Sequence, residues 1–221
     1  MANGLVDSAA QSTAPDDQRI YGVAAAEVIE CCDQTNQGRV KLRLPWLPGY
    51  EPWARVAAAM AGKNSGAFFM PQKGDEVLVA FNRGDVREPY IVGSMWNGEN
   101  VTPVKDSNEA QNMWVLRTPK GHEIRFDDKA GTITITHANG DPHITLEKEK
   151  IEIGVDKNDS AKITWDKQGN LKLYATSSIS LEAPSIKVKA SQSLELSSKV
   201  VAELDGGAQC TIKGVKIDIA P

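Results

Sequence analysis

The first half of the chain alternates between short β-rich segments and turn residues. Five such segments are present, at residues 20–30, 38–44, 53–60, 76–82 and 90–96. Turn sequences such as Lys73-Gly74-Asp75 separate them, and no helical period is evident. This pattern predicts a small closed barrel, because closure removes exposed strand edges. The OB-fold has this strand count, whereas a sandwich usually has about seven strands.

The second half follows a nearly strict period of two from Gly131 onward. Aliphatic residues occupy one face, and Lys, Glu, Ser or Thr occupy the other. The last four units begin at Leu171, Ile179, Ile186 and Leu194, which is a repeat of about eight residues, or one short strand plus a corner. One such strand has a single narrow apolar face and nothing in its own chain to cover it.

Two architectures can cover that face: a single-chain solenoid, or several chains wound around a shared axis. A corner at each octad favours a triangular prism with one face from each of three chains, in which strands hydrogen-bond to other chains. The sequence therefore predicts an all-β protein with an N-terminal OB-fold barrel and an intertwined trimeric triangular β-helix. The residues expected to line its axis are Leu171, Leu173, Ile179, Leu181, Ile186, Val188, Leu194 and Leu196.

The distribution of aromatic residues supports this division. All four Phe and four of the five Trp precede residue 127, and Trp165 and Tyr174 are the only aromatic residues after it. Aromatic side chains bury the largest areas, so a segment nearly without them favours a thin core shared between copies.

Bulk composition narrows the class only slightly. The 221 residues are 41% hydrophobic and 24% charged, with a net charge of −4, as in ordinary soluble or fibrous proteins. No run of about 18 apolar residues predicts a membrane span. Residues 1–18 form a polar arm without the layout of a signal peptide, so we expect synthesis in the cytoplasm.

Cysteine and histidine spacing gives no metal motif. Adjacent Cys31 and Cys32 cannot easily bond to each other, and Cys210 is distant, as expected for a thiol protein of a reducing compartment. The histidines, His122 and His137 among them, form no ligand pattern, and we expect His122 to make a neck hydrogen bond. Asp127-Asp128 and Asp156 to Asp159 are interpreted as turn residues. No cofactor, metal or catalytic residue is predicted.

Several blocks of the first half resemble the central spike family of contractile tails, which includes phage baseplate assembly protein V and the valine-glycine repeat spikes of type VI secretion. The blocks are GRVKLRLPW (38–46), PWARVAAAMAG (52–62), GAFFMPQKGDEVLVAF (66–81) and EPYIVGSMWNG (88–98). RTPKGHEIRFDDKAGTITI (117–135) is similar to the neck of those spikes. The resemblance divides the chain into an arm (1–18), an OB-fold (19–98), a neck (99–131) and a trimeric spike (132–221).

The resemblance implies a non-enzymatic structural spike in a virion tail baseplate or equivalent injection particle. It implies a homotrimer whose OB-fold lies beneath a baseplate hub protein and whose point punctures the target cell envelope. The family's lysozyme insertion has no room here, and its His-x-His iron tip is absent. A conical tip-cap protein is the alternative partner, with candidate contacts at Ile217, Ile219 and Pro221.

Candidate hub contacts lie on the barrel. Arg39, Lys41 and Arg43 alternate along one strand face, which is either simply solvated or docks onto an acidic hub. Trp46 and Trp53 flank a Pro-rich loop and pack either that loop, a neighbouring subunit or the hub.

Two other functions remain as alternatives. One is an OB-fold that binds single-stranded nucleic acid or glycan and has a fibrous trimerisation tail. Nine Lys or Arg against eight Asp or Glu in residues 19–98 disfavour a nucleic-acid groove. The other is a glycan hydrolase, which requires two positioned carboxylates that no sequence feature selects. The sequence does not distinguish a phage tail, a tailocin and a secretion-related particle.

Overall fold

A computed structural model describes residues 19–138, 140–156 and 158–217 of the chain. The first part contains seven strands: β1 (Val23–Cys31), β2 (Arg39–Arg43), β3 (Trp53–Val56), β4 (Ala61–Gly62), β5 (Ser65–Gly66), β6 (Glu76–Asn82) and β7 (Asp85–Met95). The predicted N-terminal arm lies outside the described residues.

Five of these strands close into a barrel in the order β1-β2-β3-β7-β6, and β6 returns to β1. Neighbouring strands are antiparallel except β3 and β7, which run parallel, with Arg55 opposite Tyr90. This closed five-stranded barrel confirms the predicted OB-type fold. Strands β4 and β5 form a separate two-stranded ribbon that the sequence pattern did not reveal.

The barrel core consists of the inward positions of the alternating strands. In β2, Val40 and Leu42 are fully buried while Arg39, Lys41 and Arg43 point outward. The buried hydrophobic residues are Ala26, Val28, Val40, Leu42, Leu44, Ala54, Val77, Val79, Phe81, Val86 and Ile91. The inward apolar face of each barrel strand is therefore buried within one chain.

Glycines permit the tight turns of the barrel. Gly84 has a φ of +83°, and its carbonyl accepts a hydrogen bond of 2.9 Å from Ile20 N. A Cβ at this position would lie 3.2 Å from Ile20 N, so both conformation and space favour glycine. The Arg83-Gly84-Asp85 turn thereby ties the start of the described chain to the β6–β7 hairpin.

A one-turn helix, α1 (Ser107–Ala110), follows the barrel, and a second sheet begins after it. Its seven strands are β8 (Met113–Arg117), β9 (Glu123–Asp127), β10 (Thr132–Thr136), β11 (His143–Leu146), β12 (Lys150–Gly154), β13 (Ala161–Asp166) and β14 (Leu171–Ala175). They form an antiparallel meander in chain order, with β8 and β14 at its edges.

This sheet begins inside the segment predicted as neck, and its seven strands pair with each other in chain order. The reason is local: short hairpin connections such as the Asp127–Gly131 turn make pairing with the sequence neighbour the nearest solution. Within the described residues after Ala175, no further strand is formed, and the octads beginning at Ile179, Ile186 and Leu194 have no partner strand.

Candidate functional site

One face of the seven-stranded sheet is entirely apolar and lies open. We call it the apolar sheet face. Each strand contributes two side chains to it: Trp114, Leu116, Ile124, Phe126, Ile133, Ile135, Ile144, Leu146, Ile151, Ile153, Ile163, Trp165, Leu171 and Leu173. Thirteen of them are between 36% and 67% exposed, and Ile144 is half-buried.

The register aligns these side chains in two unbroken rows across all seven strands. Ile133 lies opposite both Phe126 and Leu146, whereas Ile135 lies opposite Ile124 and Ile144. Side chains in register across antiparallel strands are close enough to pack. The rows therefore form one continuous strip, two side chains wide and seven strands long.

The opposite face of the sheet is polar and better covered. Its central row includes Arg125, Thr134, Thr145 and Glu152. Arg125 Nε lies 2.6 Å from Glu123 Oε1, and the hydrogen bond to that carboxylate raises the pKa of Arg125. The side chains of Glu123 and Glu152 are only 11% and 18% exposed.

A single chain therefore covers polar side chains on one face and leaves large aliphatic and aromatic side chains in water on the other. Contiguous apolar patches of this extent are rare on monomeric proteins and mark interaction surfaces. The apolar sheet face is therefore a candidate interaction surface.

The barrel approaches one of the two rows of the apolar sheet face. Phe68 and Phe69, on the barrel side, line a cleft of about 1180 Å³ with five members of that row on the sheet side: Leu116, Ile124, Ile135, Ile144 and Ile153. Phe68 and Phe69 are themselves largely exposed. The cleft therefore follows one row across five strands, whereas the other row lies outside its lining.

The predicted axis residues fall into two groups. Leu171 and Leu173 belong to the apolar sheet face, where they lie opposite Trp165 and Ile163. The other six follow the sheet and are exposed in a segment that forms no strand within the chain: Ile179, Leu181, Ile186, Val188, Leu194 and Leu196. The structure thus brings the first two together with the strip and leaves the other six without intrachain packing.

Sequence reasoning missed the twelve other members of the apolar sheet face as a candidate site. The signal was present, because ITITH at 133–137 and IEIGV at 151–155 have the same alternation as the octads. By itself this alternation predicts the beginning of the spike and does not indicate a separate apolar surface.

The predicted hub residues lie on the barrel exterior. The three basic side chains among them each form an ion pair within the chain. Arg39 Nε lies 2.7 Å from Asp33, Lys41 Nζ lies 3.5 Å from Glu51, and Arg43 lies 2.9 Å from Glu27. Trp46 contacts Phe81 edge-to-face, with ring centroids 6.0 Å apart. Trp53 is the first residue of β3, and its side chain is half-buried. Of the predicted cap contacts, Ile217 is exposed, and Ile219 and Pro221 lie outside the described residues.

The histidines make local contacts. The rings of His122 and His137 are 4.4 Å apart between centroids, and His143 Nε2 lies 3.6 Å from Glu152. Among the described residues, no group of three His, Cys, Asp or Glu side chains is placed to hold a metal ion. The carboxylate of Asp156 accepts backbone hydrogen bonds at 2.9 Å from Asn158 and 3.1 Å from Ser160, as a turn residue does. In the same described ranges, no helix is long and apolar enough to cross a membrane.

Comparison with known proteins identifies the barrel. Residues 24–96 match the family described as the type VI secretion system/phage-baseplate injector OB domain. The chain is 34% identical over 127 residues to type VI secretion system spike protein VgrG1b of Pseudomonas aeruginosa, a match of 51% of this chain and 17% of that protein. It is 31% identical over 151 residues to spike protein VgrG5 of the same species, covering 62% and 19%.

The name of a third relative includes a further activity, actin cross-linking. The actin cross-linking toxin VgrG1 of Vibrio cholerae is 32% identical over 147 residues, which are 61% of this chain and 13% of the toxin. The matched part thus spans less than a fifth of the length of each of these three relatives.

Proposed function

We propose that this chain, whose residues 24–96 match the type VI secretion system/phage-baseplate injector OB domain, is the trimeric central spike of a contractile injection machine. The observation that carries the proposal is the apolar sheet face, a strip of fourteen apolar side chains, of which thirteen are exposed among the described residues.

Three copies can cover their strips against one another. The strip is only two side chains wide, so three sheets placed around an axis close into a thin triangular prism with all apolar residues inside. Polar rows such as Thr134, Thr145 and Glu152 then face solvent. Burying an aliphatic side chain stabilises by about 1.5–3 kcal/mol, and each chain supplies fourteen apolar side chains.

The segment after Ala175 calls for a different form of pairing. Strand β14 pairs with β13 on one side, and its other edge has no ladder within the described residues. An open edge accepts strands from another chain. We therefore infer that residues 176–217 form an interwound section, whose axis is lined by Ile179, Leu181, Ile186, Val188, Leu194 and Leu196.

The proposed mechanism is mechanical. A rod in which strands are shared between chains resists unfolding under load, because separating one chain breaks hydrogen bonds and buried contacts to the other two. In this proposal the barrel docks beneath a hub protein, and the point crosses the target envelope on contraction. The candidate hub contacts are on the barrel exterior: Arg39, Lys41, Arg43, Trp46 and Trp53. The candidate contacts for a tip-cap protein are Ile217, Ile219 and Pro221.

We propose a structural role rather than a reaction for this chain. The activity in the name of the Vibrio cholerae relative is that protein's, and the match covers 13% of it. The machine is proposed as a virion tail baseplate or an equivalent injection particle, and the comparisons include type VI secretion spikes.

The test is the native mass of the purified chain by light scattering, before and after heating in mild detergent. The expected result is a trimer that survives heating, because the apolar strip and tail are both buried between chains. A monomer would overturn the proposal and favour a barrel that binds single-stranded nucleic acid or glycan, which a filter-binding assay would then detect. A dimer would indicate a two-sheet sandwich instead of a prism.

A further inference from the structure

The adjacent cysteines at the end of β1 are arranged differently from ordinary neighbours in a strand. In extended backbone, consecutive side chains point to opposite faces, so two adjacent thiols do not meet. Here Cys32 has a φ of +67°, in the left-handed region, directly after the last residue of β1. This turns the Cys32 side chain back toward that of Cys31, and the two Sγ atoms lie 2.8 Å apart.

The surroundings leave this pair accessible. Cys32 is exposed and Cys31 is half-buried. Both line the cleft between the barrel and the apolar sheet face, together with Met70 and Gln72. A small-molecule reagent can therefore reach the exposed sulfur of Cys32 on the barrel.

From this geometry we propose that Cys31 and Cys32 form a vicinal dithiol that closes reversibly to an intramolecular disulfide in the presence of a small-molecule disulfide oxidant. The inference is independent of the spike function, because it concerns two side chains of the barrel. It differs from the expectation from sequence that adjacent cysteines do not bond easily, and the reason is the left-handed conformation of Cys32.

The order of the two steps follows from exposure and acidity. Burial, followed by the hydrogen bond with Cys32, raises the pKa of Cys31 to about 11, so Cys31 remains protonated at neutral pH. Cys32 is the more exposed of the two, so its sulfur loses the thiol proton to solvent, attacks the oxidant first and releases one of its halves as a thiolate. This gives a mixed disulfide on Cys32.

The second step is intramolecular. Cys31 loses its proton to solvent, its sulfur attacks Cys32 Sγ, and the second half of the oxidant leaves as a thiolate. In total, two protein thiols lose two electrons and two protons, and one disulfide is reduced to two thiols. The closeness of the two sulfurs offsets the low thiolate fraction of Cys31.

The ring formed in this way is readily reopened. Adjacent Cα atoms across a trans peptide are about 3.8 Å apart, below the usual range of about 4.4–6.8 Å for disulfides. Such strained bonds are more easily reduced than structural disulfides. The pair should therefore respond to the thiol–disulfide ratio rather than remain permanently closed.

The experiment uses the full chain with Cys210→Ser, which leaves only the adjacent pair. The protein is incubated with oxidised glutathione and analysed by intact mass and non-reducing peptide mapping. The expected product is a chain with an intramolecular disulfide, lighter than the reduced chain by about 2 Da, with Cys31 and Cys32 in one disulfide-containing peptide. Reduction by dithiothreitol should restore both thiols.

Matched single variants distinguish the steps. In the Cys210→Ser background, Cys31→Ser should accumulate one glutathione on Cys32, because the resolving thiol is absent. A trivalent arsenical that requires two neighbouring thiols should bind the Cys210→Ser parent. It should bind neither the Cys31→Ser nor the Cys32→Ser variant of that parent. Persistence of a glutathione adduct in the parent, or formation of disulfides between chains, would overturn the proposal.

Discussion

The barrel and the sheet are built from similar alternating strands, yet they differ in how they cover their apolar faces. The barrel closes on itself through the parallel β3–β7 pair and buries eleven hydrophobic residues within one chain. The sheet remains an open meander with edges at β8 and β14, and thirteen of its fourteen apolar residues stay exposed. Period-two alternation therefore specifies which side chains are apolar and need burial. Whether one chain can bury them depends on whether its sheet closes into a barrel.

The segment after the sheet is a more extreme case of the same contrast. Residues 176–217 keep the alternation but form no strand within the chain. Their aliphatic side chains are exposed, and their backbone forms isolated hydrogen bonds, such as Gln209 N to Gly206 O at 3.1 Å, rather than a ladder. Cover within the described chain thus decreases from the barrel to the sheet to the tail, and mutations should act differently in each.

The largest effect is expected in the tail. Leu181→Asp would place three carboxylates together inside the interwound section, where unpaired charges cost several kcal/mol each. The expected result is loss of the trimer, measured as a monomer mass by light scattering. Ser180→Asp is the matched control, because it introduces the same charge one residue away on the outward face. A heat-resistant Leu181→Asp trimer would contradict the assignment of the axis.

A somewhat smaller effect is expected in the sheet. Trp165→Lys replaces an aromatic member of the apolar sheet face by an ammonium group, which a long side chain can carry partly toward solvent. The trimer should form but melt at a lower temperature and dissociate on dilution, as measured by calorimetry and light scattering. Thr164→Lys, on the opposite face, should leave both properties unchanged. Equal effects of the two variants would show that the strip is not buried in the assembly.

A change in the barrel should alter stability without altering assembly. Leu42→Ala removes a fully buried side chain and should lower the free energy of unfolding of the barrel by about 2–5 kcal/mol. The native mass should stay that of the proposed trimer, because that assembly is proposed to form through the sheet and tail. Val92→Ala, at an exposed barrel position, should cost much less. Loss of the trimer in Leu42→Ala would mean that the barrel contributes to assembly.

The smallest effect concerns acid stability of the barrel. The hydroxyl of Thr35 donates to Asp33, and Arg39 adds a charged hydrogen bond; together they outweigh partial burial and lower the pKa of Asp33 to about 2. Unfolded Asp has a pKa near about 3.9, so between these values the unfolded chain binds more protons. The stabilisation is therefore present above about pH 4 and lost as pH falls toward about 2.

Asp33→Asn should flatten this part of the stability profile, measured as the urea midpoint of barrel unfolding between about pH 5 and pH 2. The carboxylate of Asp85, whose pKa Arg87 also lowers to about 2, should leave a residual slope in the variant. An unchanged profile in Asp33→Asn would show that Asp33 has no net coupling to folding.

The sequence by itself determined the strand pattern and the inward and outward positions. The alternation of Val40 and Leu42 with Arg39 and Lys41 is observed in β2, and the turn at Gly74 lies where its residues indicated. Side chains alternate along a strand whatever it pairs with, so period alone was sufficient for these predictions.

The tertiary structure alone decided which strands pair and which apolar faces remain open. Hydrogen-bond partners are not encoded in a period of two, so the sequence did not show that Ile133 and Ile135 would belong to a sheet built within one chain. Nor did it show that a left-handed residue at Cys32 would bring two adjacent sulfurs together, because a backbone conformation at a single residue leaves no trace in a hydrophobic pattern. Both depend on where the chain turns, and the direction of a turn is set by packing across the whole fold.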